Sequence, residues 1–260
     1  MTAAEKTQPS RATYPDLSGK SVLITGGGSG IGAACCGMIA GAGVNSLDWD
    51  VYSGPRVLQH LPDSGWIRKT ATIEQLALLL FLENEPVVFI NGRAELGPRA
   101  LGNRSILAAA TNAHMKQVLN HVKNREDYRP VAPICLEEDA KDLFIPGSRD
   151  PFMVFDHVVR PEWVDRIPAI RHIDGTARLQ TINEAENPVI YHLLSEYKKL
   201  SGIPLLCNTS ANYNGKGFFP DPLTAMKWNK VNYVWCDNTL YEKERKTTFA
   251  DIKSAEARSM

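Results

Sequence analysis

The sequence predicts an α/β protein built on an open, mixed sheet. Three observations carry this expectation. The compact apolar runs PVVFIN, VAPICLE and IPLLCNTS have the length and composition of buried strands. Between and around them, TIEQLALLLFLEN, NAHMKQVLNHVKNRE and NPVIYHLLSEYKKLSG space their apolar residues as helices do. Strands and helices do not alternate strictly, so the sheet is expected to be mixed rather than wholly parallel.

Taken in order, residues 1 to about 18 are dominated by Ser, Thr, Pro and Gln and are expected to stay unfolded. SVLITGGGSGIGAACC then reads as a short strand, a glycine-rich turn and the start of a helix. DWDVYSGPRVLQHLPDSGW is loop-rich, which places a boundary near residue 50. Thr72, followed by Glu74 and Gln75, suits a helix start. PVVFIN and SILAAAT read as strands. The helix over NAHMKQVLNHVKNRE carries Met115, Val118, Leu119 and Val122 on one face. VAPICLE is a strand leading into a helical turn, EEDAKDLF. PFMVFDHVV, AIRHID and TARLQTI are expected to be strands. Pro188 near the start and Gly202 just past the end bound the clearest helix. IPLLCNTS is a strand running into a polar loop, DPLTAMKW a short helix, and YVWCDNTLYEK a hairpin-like pair of strands. The expected organisation is a leader over 1–50, one main domain over 51–245 and a polar tail over 246–260, with no internal repeat.

Formal net charge is zero, with 29 Lys and Arg against 29 Asp and Glu. A general nucleic-acid binder carries a basic excess, so that class is disfavoured, while a local basic pocket is not. The five cysteines form no CxxC pair and their number is odd, which argues against a disulfide framework or a zinc site. Cys135 and Cys207 sit in apolar runs and are expected in the core. The N-terminus lacks an apolar signal segment, and the longest apolar run, LALLLFL, is too short to cross a bilayer. A cytoplasmic protein is the expectation.

Four stretches share one chemical character: GRAELGPRALGNRS, VKNREDYRPVAP, HIDGTARLQ and CNTSANYNGKGFFPD. Each places a cation or a donor-rich loop at an expected strand end, where ligands of open α/β sheets sit. Arginine offers a planar fork for phosphate or carboxylate oxygens, and tight polar loops can aim several backbone N–H groups at one anion. Each stretch alone also reads as ordinary surface, with Arg93–Glu95 and Arg125–Glu126–Asp127 as exposed ion pairs. A neutral chain with four such stretches at strand ends points instead to one anion site.

The run GRAELGPRALGNRSILA, then LNHVKNREDYRPVAP, then DGTARLQT, then PLLCNTSANYNGKGFFPDP closely resembles the C-terminal half of the O-carbamoyltransferases of nodulation-factor and antibiotic-tailoring pathways. The resemblance covers roughly residues 47 to 243. It implies a YrdC-like twisted open sheet with a concave basic face. That half takes carbamoyl phosphate and ATP, with Mg²⁺ on the triphosphate, and forms carbamoyl-adenylate. A separate Kae1-like half then passes the carbamoyl group to a hydroxyl acceptor. By resemblance, Lys123, Arg129 and Ser210 hold carbamoyl phosphate, with Arg99 lining the pocket. Arg178, Asn208 and Thr209 hold the nucleotide. Lys123, Arg129 and Arg178 are the charges expected to act in catalysis. No protein metal ligand is assigned, and membranes and nucleic acid are not expected partners.

The N-terminal stretch points elsewhere. Thr25, Gly26, Gly30 and Gly32 in LSGKSVLITGGGSGIGAA resemble the TGxxxGxG turn of short-chain dehydrogenases, which would bind NAD(P). The βαβ unit that turn requires does not follow, and none of the eight tyrosines has a lysine four residues later. GSGIGAACC also resembles the segment that ends the Kae1-like half of carbamoyltransferases. Most of that half is absent, and the six histidines show no paired ligand spacing. Three alternatives to an adenylate-forming domain therefore stand beside it: a non-catalytic remnant binding nucleotide or a partner, an RNA binder, and an NAD(P)-dependent oxidoreductase.

Overall fold

The computed structural model describes residues 51–52, 54–57, 64–213 and 217–244. The leader, with its glycine-rich turn, and the polar tail lie outside the described residues. In chain order the elements are Trp66–Thr70 (β1), Ile73–Glu83 (α1), Val87–Ile90 (β2), Arg104–Ala108 (β3), His114–Val122 (α2), Ala132–Leu136 (β4), Ala140–Leu143 (α3), Phe144–Ile145 (β5), His157–Val159 (β6), Thr176–Ala177 (β7), Gln180–Ile182 (β8), Pro188–Ser201 (α4), Leu205–Ser210 (β9), Pro222–Trp228 (α5), Tyr233–Cys236 (β10) and Thr239–Lys243 (β11).

Eight strands form one mixed sheet in the order β1-β11-β10-β2-β3-β9-β4-β8, and β5, β6 and β7 form a second, smaller one. In the large sheet, β10 with β2 and β4 with β8 are parallel, and the other neighbours are antiparallel. The expected mixed sheet is therefore present. Every residue of β2, β3, β4 and β10 is buried, so the sheet centre is covered on both faces. Phe89 and Trp235 are register partners in β2 and β10, and their rings stack with centroids 4.7 Å apart. Cys135 and Cys207 lie in this core.

Local chemistry sets the helix ends. Thr72 and Gln75 close a capping box at the start of α1, with Thr72 N–H donating to Gln75 Oε1 at 2.9 Å. Asn187 caps α4, whose C-terminus stops at Gly202 with φ of 70°. Asp221 Oδ1 accepts from the Thr224 N–H at 2.7 Å at the start of α5. Helices α1 and α4 pack on one another. Asp237 and Asn238, both left-handed, make the two-residue turn between β10 and β11.

Three expectations change. PFMVFDHVV is a strand only over His157–Val159. Before it, the Asp150 carboxylate accepts the backbone N–H groups of Val154 and Phe155 at 2.9 and 2.8 Å and folds the chain into a turn. AIRHID is no strand: Pro168–Ile170 is a 3₁₀ turn, and Gly175 turns the chain tightly, its N–H donating to His172 O at 3.1 Å. TARLQTI is split between sheets, β7 belonging to the small sheet and β8 to an edge of the large one. Arg178 stands at that crossing. WIRKT, which carries no clear alternation, is an additional edge strand held by β11.

Candidate functional site

The four cation-bearing stretches meet at one place. Two adjoining cavities, of about 510 and 380 Å³, share Pro98, Arg125, Arg129 and Ser210 in their walls. Lys123 lines the larger. Arg99, Arg178, Asn208 and Thr209 line the smaller. All seven residues singled out by resemblance therefore reach this pair of cavities. Arg99 falls with the residues expected to hold nucleotide rather than with Lys123.

Each side chain has a structural reason for its place. Lys123 is the residue that ends α2, and its helix carries it to the end of β9. Its ammonium donates to the carbonyl oxygens of Ser210 at 2.6 Å and Asn212 at 2.8 Å, and to Asn212 Oδ1. Burial pushes its pKa down to about 7, with Arg125 pushing the same way. The loop that follows is braced by Asn120, a fully buried residue of α2. Its Nδ2 donates to the carbonyls of Asp127 and Arg129, both at 3.0 Å, and its Oδ1 accepts from Arg125 Nε at 2.6 Å. On β9, Asn208 and Ser210 are two residues apart and share a face of the strand. Asn208 Nδ2 donates to Ala100 O at 3.0 Å and to Gln180 Oε1 at 2.8 Å, so both of its protons are engaged within the protein.

The electrostatics are one-sided. Burial lowers the Arg125 guanidinium to about 10, followed by repulsion from Arg129 and Arg178. Burial also lowers Arg178, followed by repulsion from Arg99, against which Asp156 acts in the opposite direction. The Arg178 Nε is buried without a hydrogen-bond partner. Among the described residues no carboxylate lines either cavity. Glu126 and Asp156 offset part of the repulsion among these five cations, and an anion in either hollow would offset more.

Not every arginine of GRAELGPRALGNRS serves this site. Arg104 is fully buried in β3, where its guanidinium donates to the carbonyls of Phe219, Asn91, Asn103, Gly92 and Pro55. It binds loops together and lines neither of these two cavities. The alternative reading of Arg93 and Glu95 as an exposed ion pair does not hold either. Glu95 is buried, and Arg93 Nε donates to Gly54 O at 3.0 Å.

A protein-family model described as Carbamoyltransferase C-terminus matches residues 79–243. The chain belongs to the carbamoyltransferase family. It is 54% identical to nodulation protein U of Rhizobium tropici over 233 residues, covering 90% of this chain and 40% of that protein. It is 38% identical to the 3'-hydroxymethylcephem-O-carbamoyltransferase of Streptomyces clavuligerus over 222 residues, 83% of this chain and 42% of that one. It is 41% identical to nodulation protein NolO of Bradyrhizobium diazoefficiens over 180 residues, 64% of this chain and 33% of that one. The chain thus spans about 40% of the length of the curated relatives it matches.

The resemblance leads to an expectation of Mg²⁺ on the nucleotide. The described lining offers cations, amides and hydroxyls but no carboxylate, and among the described residues no three His, Cys, Asp or Glu gather. These residues do not make a Mg²⁺ ligand set. Among the described residues, no helix is long and apolar enough to cross a membrane. Arg125, grouped in sequence with Lys123 and Arg129, is given no ligand of its own by the resemblance, and Asn120 is not among the candidates. Arg125 stood in the quoted segment, and its spacing of four from Arg129 was the available signal. Asn120 carried none, because nothing local marks a helical asparagine as buried.

Proposed function

We propose that this chain is the carbamoyl-activating part of an O-carbamoyltransferase, binding carbamoyl phosphate in the larger cavity and ATP phosphates in the smaller. The observation that carries the reading is the pair of adjoining cavities, with Arg125, Arg129 and Ser210 common to both and no carboxylate in the described lining. In the reaction, water cleaves the phosphate–carbamoyl linkage to give inorganic phosphate and carbamate. A carbamate oxygen then attacks the α-phosphorus of ATP, and pyrophosphate leaves. No side-chain nucleophile is needed. The requirement is to hold several anions in line against their mutual repulsion, and fixed cations do so.

Arg129 and Ser210 hold carbamoyl phosphate, Lys123 adds its charge beneath them while its three protons stay on the Ser210 and Asn212 oxygens, and Arg125 serves both ligands. Arg178 and Thr209, with Arg99, hold the nucleotide phosphates. Asn208 contributes by fixing the Ala100 carbonyl rather than by donating to phosphate, since its two protons are already engaged. Transfer to the hydroxyl acceptor belongs to a Kae1-like domain or subunit, in keeping with relatives that are more than twice as long as the aligned segment.

Exchange of labelled pyrophosphate into ATP, dependent on carbamoyl phosphate, tests the reading. Exchange in the wild-type chain and its loss in Arg178→Ala are expected. A folded chain that binds ATP but exchanges nothing would favour the second reading, a chain that binds nucleotide without turning it over.

A further inference from the structure

Glu95 is the only acid in GRAELGPRALGNRS, and it is only 4% exposed. Its Oε1 accepts three backbone N–H groups: Leu101 at 2.7 Å, Asn103 at 2.8 Å and Arg104 at 3.1 Å. Three amides converging on one oxygen wrap residues 96–104 around the carboxylate. The opposite side of the same loop is held as well. Ala100 O accepts from Asn208 Nδ2, and Leu101 O accepts from Gln180 Nε2 at 3.0 Å and from the Tyr52 hydroxyl at 2.9 Å. Asn208 and Gln180, both buried, bond to each other at 2.8 Å. The residues between these anchors, Gly97 to Ala100, form the wall of the two cavities.

We infer that Glu95 is a positioning residue, which holds Arg99 and the loop wall in register with Arg178 and Ser210. The inference rests on the anion-site reading above. A charged acceptor suits the task because neutral oxygens bind three converging donors more weakly. The load on the loop is electrostatic. Arg99 and Arg178 repel one another, and a loop free to yield would let Arg99 swing away from the cavity. With Glu95 in place, that reorganisation is met during folding and not at the binding step. The same carboxylate favours the charged form of the buried Arg104 guanidinium, against the burial that disfavours it.

The test uses Glu95→Gln, which keeps the shape and removes the charge, and Glu95→Asp, which keeps the charge and withdraws the oxygen by one methylene. Inorganic pyrophosphate binding is measured by calorimetry, with Arg99→Ala alone and combined with Glu95→Asp. Weakening of about 10-fold or more is expected in each Glu95 variant that folds. Little further loss is expected when Glu95→Asp is added to Arg99→Ala, because Glu95 acts through Arg99. Additive losses, wild-type affinity in the folded variants, or failure of both variants to fold would each overturn the positioning role. If the wild-type chain itself does not bind pyrophosphate, the anion-site reading falls and this inference falls with it.

Discussion

Lys123 Nζ donates to the backbone carbonyl of Ser210 at 2.6 Å, joining the end of α2 to the end of β9 under the larger cavity. Burial holds this ammonium at about 7, far below its ordinary 10.5. A bound polyanion favours the charged form, so binding above pH 7 must take up a proton. The contribution of Lys123 to pyrophosphate affinity is therefore expected to be full below pH 7 and to fall as pH rises through it. Calorimetry at pH 6 to 9, in buffers of different ionisation enthalpy, reads both the affinity and the proton uptake. Lys123→Arg keeps its charge over that range and should flatten the part of the profile due to this residue.

Arg125 belongs to both cavities, whereas Arg99 belongs to the smaller alone. Arg125→Ala is thus expected to raise KM for both carbamoyl phosphate and ATP, and Arg99→Ala to raise KM for ATP with little change for carbamoyl phosphate. Losing one fixed donor to developing charge typically reduces rate by about 10²–10³, so a change below about threefold in Arg125→Ala would contradict its shared role. Steady-state kinetics with each substrate varied in turn separates the two patterns.

Asn120 tests whether the loop carrying Arg125 and Arg129 must be braced. Asn120→Ala leaves the Asp127 and Arg129 carbonyls and the Arg125 Nε without their side-chain partner. A loss of about 1–3 kcal/mol in urea denaturation is expected from unmet hydrogen-bonding groups. Weaker pyrophosphate binding should accompany it at temperatures where the variant is fully folded. Asn120→Asp keeps the acceptor for Arg125 and loses the two donations, so it should retain more affinity than Asn120→Ala.

Much of this architecture is legible locally. PVVFIN and IPLLCNTS are strands because buried parallel or central strands read as continuous apolar runs, and α1 and α4 announce themselves through Thr72, Pro188 and Gly202. What was not legible is set by distant partners. WIRKT becomes a strand only because β11 offers an edge, and the segment around Met153 turns because Asp150 captures two amides. The split of TARLQTI, which leaves Arg178 at the crossing of two sheets, has no local signature either. At the site, motif order named residues that reach one pair of cavities, but the same arginine-rich stretch concealed two different roles. Arg99 faces a cavity while Arg104 is buried among carbonyls, and Glu95, which an ordinary-surface reading would pair with Arg93, lies buried under the loop. Spacing along the chain does not tell which way a loop side chain turns.

Gly92, Gly97 and Gly102 all adopt positive φ, at 46°, 91° and 119°, but only Gly102 is also closely packed. A Cβ there would lie 2.8 Å from Ile190 Cγ1 and 3.2 Å from Asn187 Nδ2, at the start of α4. Asn187 is in turn the cap of that helix and donates to Asn103 Oδ1 at 3.0 Å. Gly102→Ala must therefore strain the backbone and displace either the loop or the helix start. A loss of about 2–4 kcal/mol is expected, lowering Tm by roughly 5–10 °C. Gly97→Ala, with nothing near the added methyl group, meets only the backbone penalty of about 1–2 kcal/mol. Thermal melts of the two variants should fall in that order. Equal melting temperatures would mean that the glycine-rich loop does not press on α4 as the structure has it.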